Sequence, residues 1–485
     1  MLPVVFALAA LGSCLALSLV GPILVALLAG ETAVASRLSV HLVVGAFVFG
    51  APLLATMGRT RRPRPDQQLA TLILGWALLP LLGSVVLADT TPLGLLDAMF
   101  ESVSAFTTAG ASVVQDVEIL PQGIVFLRAQ AQWIGGYLAL LTVVLVLAPL
   151  GLGGLSARSA TLSGGSLADL GADRLQWLLV RLGVVYLVMT GACFLALFLG
   201  GTRAFYAATL AMTAVSTGGI LPFDGPVDTI VGSHGLFVMG VFLAIGATSV
   251  FWQRALLTGR WRLVTAHRES YLVMATVALL ALVFALLLAS VPGASRSFAA
   301  VLSEALFNAA SLVSTSGIES RPGLHTLLPL TVVLFLVLLG GSAFGTSGGL
   351  KHYRLGGMIS RSWGELDRLI YPAIVRPSHF GSQNYDPALM RAIWAFFWAA
   401  LLTVAAGTLA VAAAGVPFEA SLTAAIAAFT TAGPVYEAGW TGSDDWPAYA
   451  ALPGFAKIVL MALMVLGRLE VLAVLGLLLV LPGRH

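Results

Sequence analysis

Apolar residues run nearly unbroken through ten stretches of the chain, and polar residues gather between them. The stretches are roughly 4–28, 37–57, 68–88, 124–150, 176–200, 230–252, 271–292, 327–345, 389–414 and 450–481. Runs such as 138–152 and 273–291 approach the ~20 residues with which a helix crosses a bilayer. The first stretch has no Arg or Lys ahead of it and no convincing small-residue cleavage site after it, so it is expected to stay as a span. Four further apolar segments, near 92–109, 203–218, 298–316 and 417–432, are too short to cross. They are expected to dip into the membrane and return, which backbone tolerates only when buried in protein or lining a wet cavity. Thr91-Pro92 and Pro417 are candidate starts for short helices in the first and last of them, since proline suits the first helical position.

These four segments align on a glycine. They read AMFESVSAFTTAG, AATLAMTAVSTGG, ALFNAASLVSTSG and SLTAAIAAFTTAG, ending at Gly110, Gly219, Gly317 and Gly433. Each has a small residue twelve positions before the glycine, Phe or Val four before, Thr or Ser three before, and Thr two before. The intervals of 109, 98 and 116 residues suit one span, short helix, loop and span per repeat. The expected fold is an all-α integral membrane protein of about ten transmembrane helices, with four such repeats around one pore. Residues 1–66 form a leading pair of spans with a basic loop. The repeats are expected at 67–173, 174–268, 269–386 and 387–485.

Composition removes the soluble alternatives. Apolar residues make up 59% of the 485 and charged ones only 10%, against roughly 25% charged in an ordinary soluble domain. Cys14 and Cys193 lie inside apolar segments, so neither a disulfide framework nor a cysteine metal site is expected. The seven histidines form no HExxH motif, and GxSxG and Walker A sequences are absent, so no enzyme is expected. Bases cluster at Arg59, Arg61, Arg62 and Arg64, at Arg254, Arg260, Arg262 and Arg268, and at Lys351, Arg354, Arg361, Arg368 and Arg376. Acids collect on the opposite loops, at Asp116, Glu118, Asp224, Asp228, Glu319, Glu437, Asp444 and Asp445. The excess of bases on cytoplasmic loops places the basic loops and both termini inside, and the four short segments outside.

A cation that leaves water exchanges hydration oxygens for protein oxygens, and rings of backbone carbonyls supply them in K⁺-selective pores. Glycine lets the backbone take the positive φ that such a ring can need, Ser and Thr add hydroxyls, and the C-terminal ends of short helices favour a cation nearby. Four copies in register on one membrane face point to a cation filter rather than to the tight helix packing that small residues also allow. Two further features stand out. After Leu327–Leu339, too short to span, the chain reads GGSAFGTSGG, and each glycine costs a helix ~1 kcal/mol against alanine, so a broken helix is expected. Arg468 sits mid-way in an apolar run, where an unpaired charge costs at least ~2.5 kcal/mol, and Glu470, two residues on, faces another side of the helix. Glu101 and Glu304, in the short helices, are expected to be structural or to shape the field at the mouth.

The chain resembles the TrkH/TrkG–KtrB–HKT superfamily of K⁺ and some Na⁺ transporters, closest to the bacterial TrkH type. The matching pieces are FESVSAFTTAGAS (100–112), QWIGG (132–136), STGG (216–219), FNAASLVSTSG (307–317), GGSAFGTSGGLK (340–351) and GRLE (467–470). The resemblance implies the four-repeat fold with two leading spans in the bacterial inner membrane, and K⁺ as the transported ion with no cofactor. It implies a filter of Thr107, Thr108, Ala109 and Gly110; Ser216, Thr217, Gly218 and Gly219; Ser314, Thr315, Ser316 and Gly317; and Thr430, Thr431, Ala432 and Gly433. Glycine rather than serine at 110 accompanies K⁺ preference. The fourth loop departs from an Asn-Asn-Leu-Gly-Pro pattern common in the TrkH type. The resemblance also implies a gating loop over 340–350, with Gly340, Gly341, Gly345, Thr346, Ser347, Gly348, Gly349 and Lys351, faced by Arg468. A homodimer is implied, resting on a TrkA-like cytoplasmic nucleotide-binding regulatory subunit; no nucleic acid is expected. The basic inner loops 254–268 and 351–376 suit that partner or anionic lipid. The competing expectation is a proton- or Na⁺-coupled symporter of alternating-access type, which calls for two inverted halves.

Overall fold

The computed structural model describes residues 2–58, 64–148, 172–290, 297–370, 379–380, 383–384, 387–438 and 446–471. The bases Arg59, Arg61, Arg62 and Arg376, the acids Asp444 and Asp445, and the chain beyond Val471 lie outside them.

The described residues are helical apart from a two-residue antiparallel pairing of His379–Phe380 with Gln383–Asn384. The leading pair is α1 (Leu2–Ser18), α2 (Val20–Leu28) and α3 (Thr32–Thr56). Then follow α4 (Pro65–Thr90), the short α5 (Leu95–Phe106) and α6 (Gln122–Thr142), which continues through a π turn to Leu147. Next come α7 (Ala172–Leu199), the short α8 (Ala204–Ser216), α9 (Val227–Gly246), α10 (Val250–Leu257) and α11 (Trp261–Ala266). The third group is α12 (Arg268–Ser290), the short α13 (Phe298–Val313), α14 (Leu330–Leu339) and α15 (His352–Ile370). The last is α16 (Pro387–Ala413), the short α17 (Phe418–Thr430), α18 (Pro434–Glu437) and α19 (Gly454–Leu469). Among the described residues, eight helices are long and apolar enough to cross a membrane. Helix α14 has ten residues and α19 sixteen, so neither reaches that length within them.

Several boundaries move from the sequence expectation. The first stretch breaks at Leu19, and the sixth ends at Gly246, where the chain turns at Ala247–Ser249 before α10. Pro92 does not open the first short helix: Gly94 caps it and Leu95 begins it. Pro417 does cap α17.

One packing rule recurs around the molecule. Each short helix lies against the long helix before it, α5 on α4, α8 on α7, α13 on α12 and α17 on α16. Each also receives a later helix of the neighbouring group, with α6 on α8, α9 on α13, α14 on α17 and α19 on α5. The last contact returns from the fourth group to the first, so the four groups close into a ring. The contact is close because glycines face the short helices. A Cβ on Gly135 of α6 would overlap the carbonyl of Phe106, and one on Gly467 of α19 would overlap that of Phe429. The short helices are sheathed by the long ones, and the four loops that follow them are almost wholly buried.

Candidate functional site

All four short helices end the same way, on a threonine in the left-handed region: Thr108 (φ 55°), Thr217 (φ 51°), Thr315 (φ 60°) and Thr431 (φ 58°). Glycine is the usual residue there, and a β-branched one costs of order 1–3 kcal/mol. The four threonines are fully buried. The expectation that the aligned glycines supply positive φ holds at Gly110 (φ 77°) and Gly317 (φ 73°). It fails at Gly433, where φ is −50°, and Gly219 is not in the positive region. Those two positions need glycine for space: a Cβ on Gly219 would strike the Pro434 ring, and one on Gly433 would come within 2.7 Å of the Ala109 carbonyl oxygen.

The loops touch in cyclic order. Gly110 abuts the backbone of Gly219. Ser316 Oγ donates to the Gly218 carbonyl at 2.5 Å. Gly317 packs on Ala432 and Val435, and the Gly433 N–H donates to the Ala109 carbonyl at 2.6 Å. Residues from four places in the chain thus form one collar.

Each loop is pinned from behind by a different polar device. In the first, Glu101 accepts the Val113 N–H at 3.0 Å and is held by Arg128 Nε at 2.8 Å, both side chains being buried. In the second, Gln132 donates to Thr213 Oγ1 at 2.6 Å and the Ile220 carbonyl at 3.0 Å, and accepts the Ile220 N–H. In the third, Asn308 joins Ser320 through both its amide atoms. In the fourth, the Tyr449 hydroxyl donates to the Gly433 carbonyl at 3.1 Å, and Tyr436 and Trp446 brace it. Glu304 lies 3.3 Å from Arg321, which also bonds Asp228.

Against the collar lies the glycine-rich segment after α14. Gly340 (φ 64°) and Gly349 (φ 78°) close its base, and Leu350 N–H and Lys351 N–H return to the carbonyls of Leu338 and Leu339. Its tip meets three of the four left-handed threonines directly, and Arg468 bridges it to the fourth. Thr217 Oγ1 donates to Thr346 Oγ1 at 3.2 Å, and the Gly348 N–H donates to Thr315 Oγ1 at 2.7 Å. Gly348 also packs on Thr431, so closely that a Cβ would not fit. Arg468 completes the set: its Nη1 donates to the Thr346 carbonyl at 2.5 Å, its Nε to the Thr107 carbonyl at 2.6 Å, and its Nη2 to Thr108 Oγ1. The guanidinium thereby ties segment 340–349 to the first loop. Lys351 Nζ donates to the Ser347 carbonyl, Gly341 and Gly345 lie against Ala247 and the turn after α9, and the Ser347 hydroxyl lies against Gly341.

The family model TrkH, described as a cation transport protein, matches residues 40–482. The chain belongs to the TrkH family. Among its relatives, the Trk system potassium uptake protein TrkI of Halomonas elongata is 29% identical over 486 residues, covering 98% of this chain and 96% of that one. The Trk system potassium uptake protein TrkH of Salmonella typhimurium is 28% identical, with 82% and 81% covered. The crystal structure of the potassium transporter TrkH from Vibrio parahaemolyticus superposes with a TM-score of 0.85 at 26% identity and covers 98% of each chain. The fold is therefore that of a helical membrane transporter, and the protein is not an enzyme.

Sequence reasoning missed several residues of this family member's collar. Arg128 and Gln132 sit in apolar α6, and a charge or amide there signals a buried partner. Glu269 left no such trace: from the start of α12 it accepts the Ala343 N–H at 2.7 Å, while the Val250 N–H donates to the Phe344 carbonyl at 2.9 Å. Two presumed surface bases also move inside. Arg354 is buried on Glu470 at 2.5 Å and over the Phe396 ring at 3.8 Å, and Lys351 is buried as well. Neither is available to a partner or to lipid; of the described bases beyond them, Arg361 and Arg368 stay on the surface of α15.

Proposed function

We propose that this TrkH-family protein takes up K⁺ through the collar, with Thr107–Gly110, Ser216–Gly219, Ser314–Gly317 and Thr430–Gly433 as the filter. The chain then divides as two leading helices and four pore units. The relatives named as potassium uptake proteins support the ion, and the Gly110–Gly219 contact supports a filter too tight for a side chain at that quadrant. Segment 340–349 is the gate, and the contact set here is its closed arrangement.

The observation that carries this reading is the three-way grip of Arg468 on Thr346, Thr107 and Thr108. Backbone carbonyls freed by the break after α14 need donors, and a buried guanidinium needs acceptors; each offsets the other's cost. Arg468→Ala in proteoliposomes raises basal K⁺ flux while leaving cation selectivity intact. Wild-type or lower flux from folded Arg468→Ala protein would falsify the latch.

We place the protein in the bacterial inner membrane as a multi-pass homodimer with both termini cytoplasmic. A TrkA-like nucleotide-binding subunit would act on the gate from the inside, and exposed Arg260 and Arg262 suit such a partner. An alternating-access symporter is disfavoured, since one repeat orientation recurs four times and the packing rule is cyclic rather than two-fold.

A further inference from the structure

A cavity of about 200 Å³ lies away from the collar, between the leading helices α1 and α3, helix α4, and the short helix α5 with α6. It exceeds the ~150 Å³ apolar cavity that suffices to bind benzene. Its walls sort by position along the helices. Gly12, Phe49, Phe106 and Ile134 line one end, whereas His41, Arg128 and Gln130 line the end nearer the Leu28–Thr32 turn. From His41 to Phe49 is eight residues, roughly 12 Å along the helix axis. The cavity is thus polar toward one membrane face and apolar toward the middle. Val44, Val48 and Val85 line it while remaining 53%, 50% and 48% exposed, so it opens sideways between α3 and α4.

The polar end carries unmet hydrogen-bonding capacity. Arg128 is 2% exposed and spends its Nε and Nη2 on Glu101 and Ser112, leaving Nη1 without a partner. Gln130 donates through Nε2 to the Ser18 carbonyl at 2.9 Å, leaving Oε1 without one. Burying a polar atom without a partner costs roughly 1–3 kcal/mol. Glu101 already neutralises Arg128, so the fitting acceptor is uncharged, such as an ester carbonyl, and Gln130 Oε1 asks for a hydroxyl or ammonium donor.

We propose that this cavity is a lipid site: one acyl chain of a glycerophospholipid enters between α3 and α4, with its ester region on Arg128 and its headgroup donor toward Gln130. A sideways opening at membrane depth meets acyl chains as its surrounding solvent. Ethanolamine and glycerol headgroups both supply the donor. The tail would rest on Phe106, the residue just before the Thr107–Gly110 loop. The site does not depend on the transport reading.

The test uses the full-length protein in vesicles containing phosphatidylethanolamine or phosphatidylglycerol with a diazirine in one acyl chain, followed by peptide mapping of the adducts. Adducts concentrate on segments 41–49 and 82–87, above the level on Val180, Leu187 and Leu279, which are equally open to lipid. Val48→Trp, which fills the mouth, abolishes that excess. Labelling by either headgroup supports the site, and the headgroup that labels more strongly identifies the donor. Labelling of the cavity no denser than at Val180, Leu187 and Leu279, with both lipids, overturns it. That comparison is made on the wild-type protein and holds even if Val48→Trp fails to fold.

Discussion

Gly110 shows how much a single position carries. It combines a left-handed φ of 77° with a backbone neighbour, Gly219, where a side chain would stand. Gly110→Ser therefore has to push the first two loops apart, and it lowers K⁺/Na⁺ discrimination while the long helices keep the protein folded. Unchanged permeability ratios in a folded variant would remove Gly110 from the filter. Glu269 offers a second test at this scale. It is the acceptor for the Ala343 N–H in segment 340–349, and an orphaned buried N–H costs roughly 1–3 kcal/mol. Glu269→Ala should raise basal flux, whereas Glu269→Gln keeps an oxygen in place and should stay near the wild-type rate. Equal fluxes from both variants would assign the effect to charge rather than to the hydrogen bond.

Among the elements, the segment between α14 and α15 is the one whose conformation is held from outside. It is buried but has little side-chain bulk, five of residues 340–349 being glycine, and it depends on bonds to Ala247, Gly246, Thr315 and Arg468. Alternative arrangements of a segment with so little side-chain bulk to fix it lie within a few kcal/mol. Deleting Gly345–Ser347 removes the Thr346 contacts and should increase basal K⁺ flux with selectivity unchanged; a fall in flux would assign the segment a supporting role. The short helices behave oppositely. Each is clamped by two long helices and a polar pin, so they are the rigid part of the site.

For the whole molecule, the charge pattern and the ring closure make one prediction about orientation. If the basic turns face the cytoplasm, a cysteine at Asp116 or Glu118 reacts with an impermeant thiol reagent from outside, and one at Arg260 does not. All three positions are exposed. Glu319, also in an acidic loop, is a poorer reporter, because its carboxylate is turned inward onto the N–H groups of Gly323 and His325. The reverse labelling pattern would invert the topology.

What the sequence determined by itself was the part of the protein written in local pattern. Apolar run length marked the crossing helices, and the alignment at Gly110, Gly219, Gly317 and Gly433 marked four equivalent loops, since each needs the same small residues at the same spacing. The break after α14 was legible because glycines disfavour helix whatever surrounds them. Tertiary structure decided what depends on partners distant in the chain. Thr rather than Gly takes the left-handed turn in all four loops, where the hydroxyls of Thr217, Thr315 and Thr431 face segment 340–349 and that of Thr108 faces Arg468. That Gly433 needs space rather than φ follows from Ala109 and Ala111, more than 300 residues away. Arg354 looked like a surface base because sequence shows charge but not the buried Glu470 that receives it. Burial and pairing belong to the assembled ring, where the fourth group packs on the first.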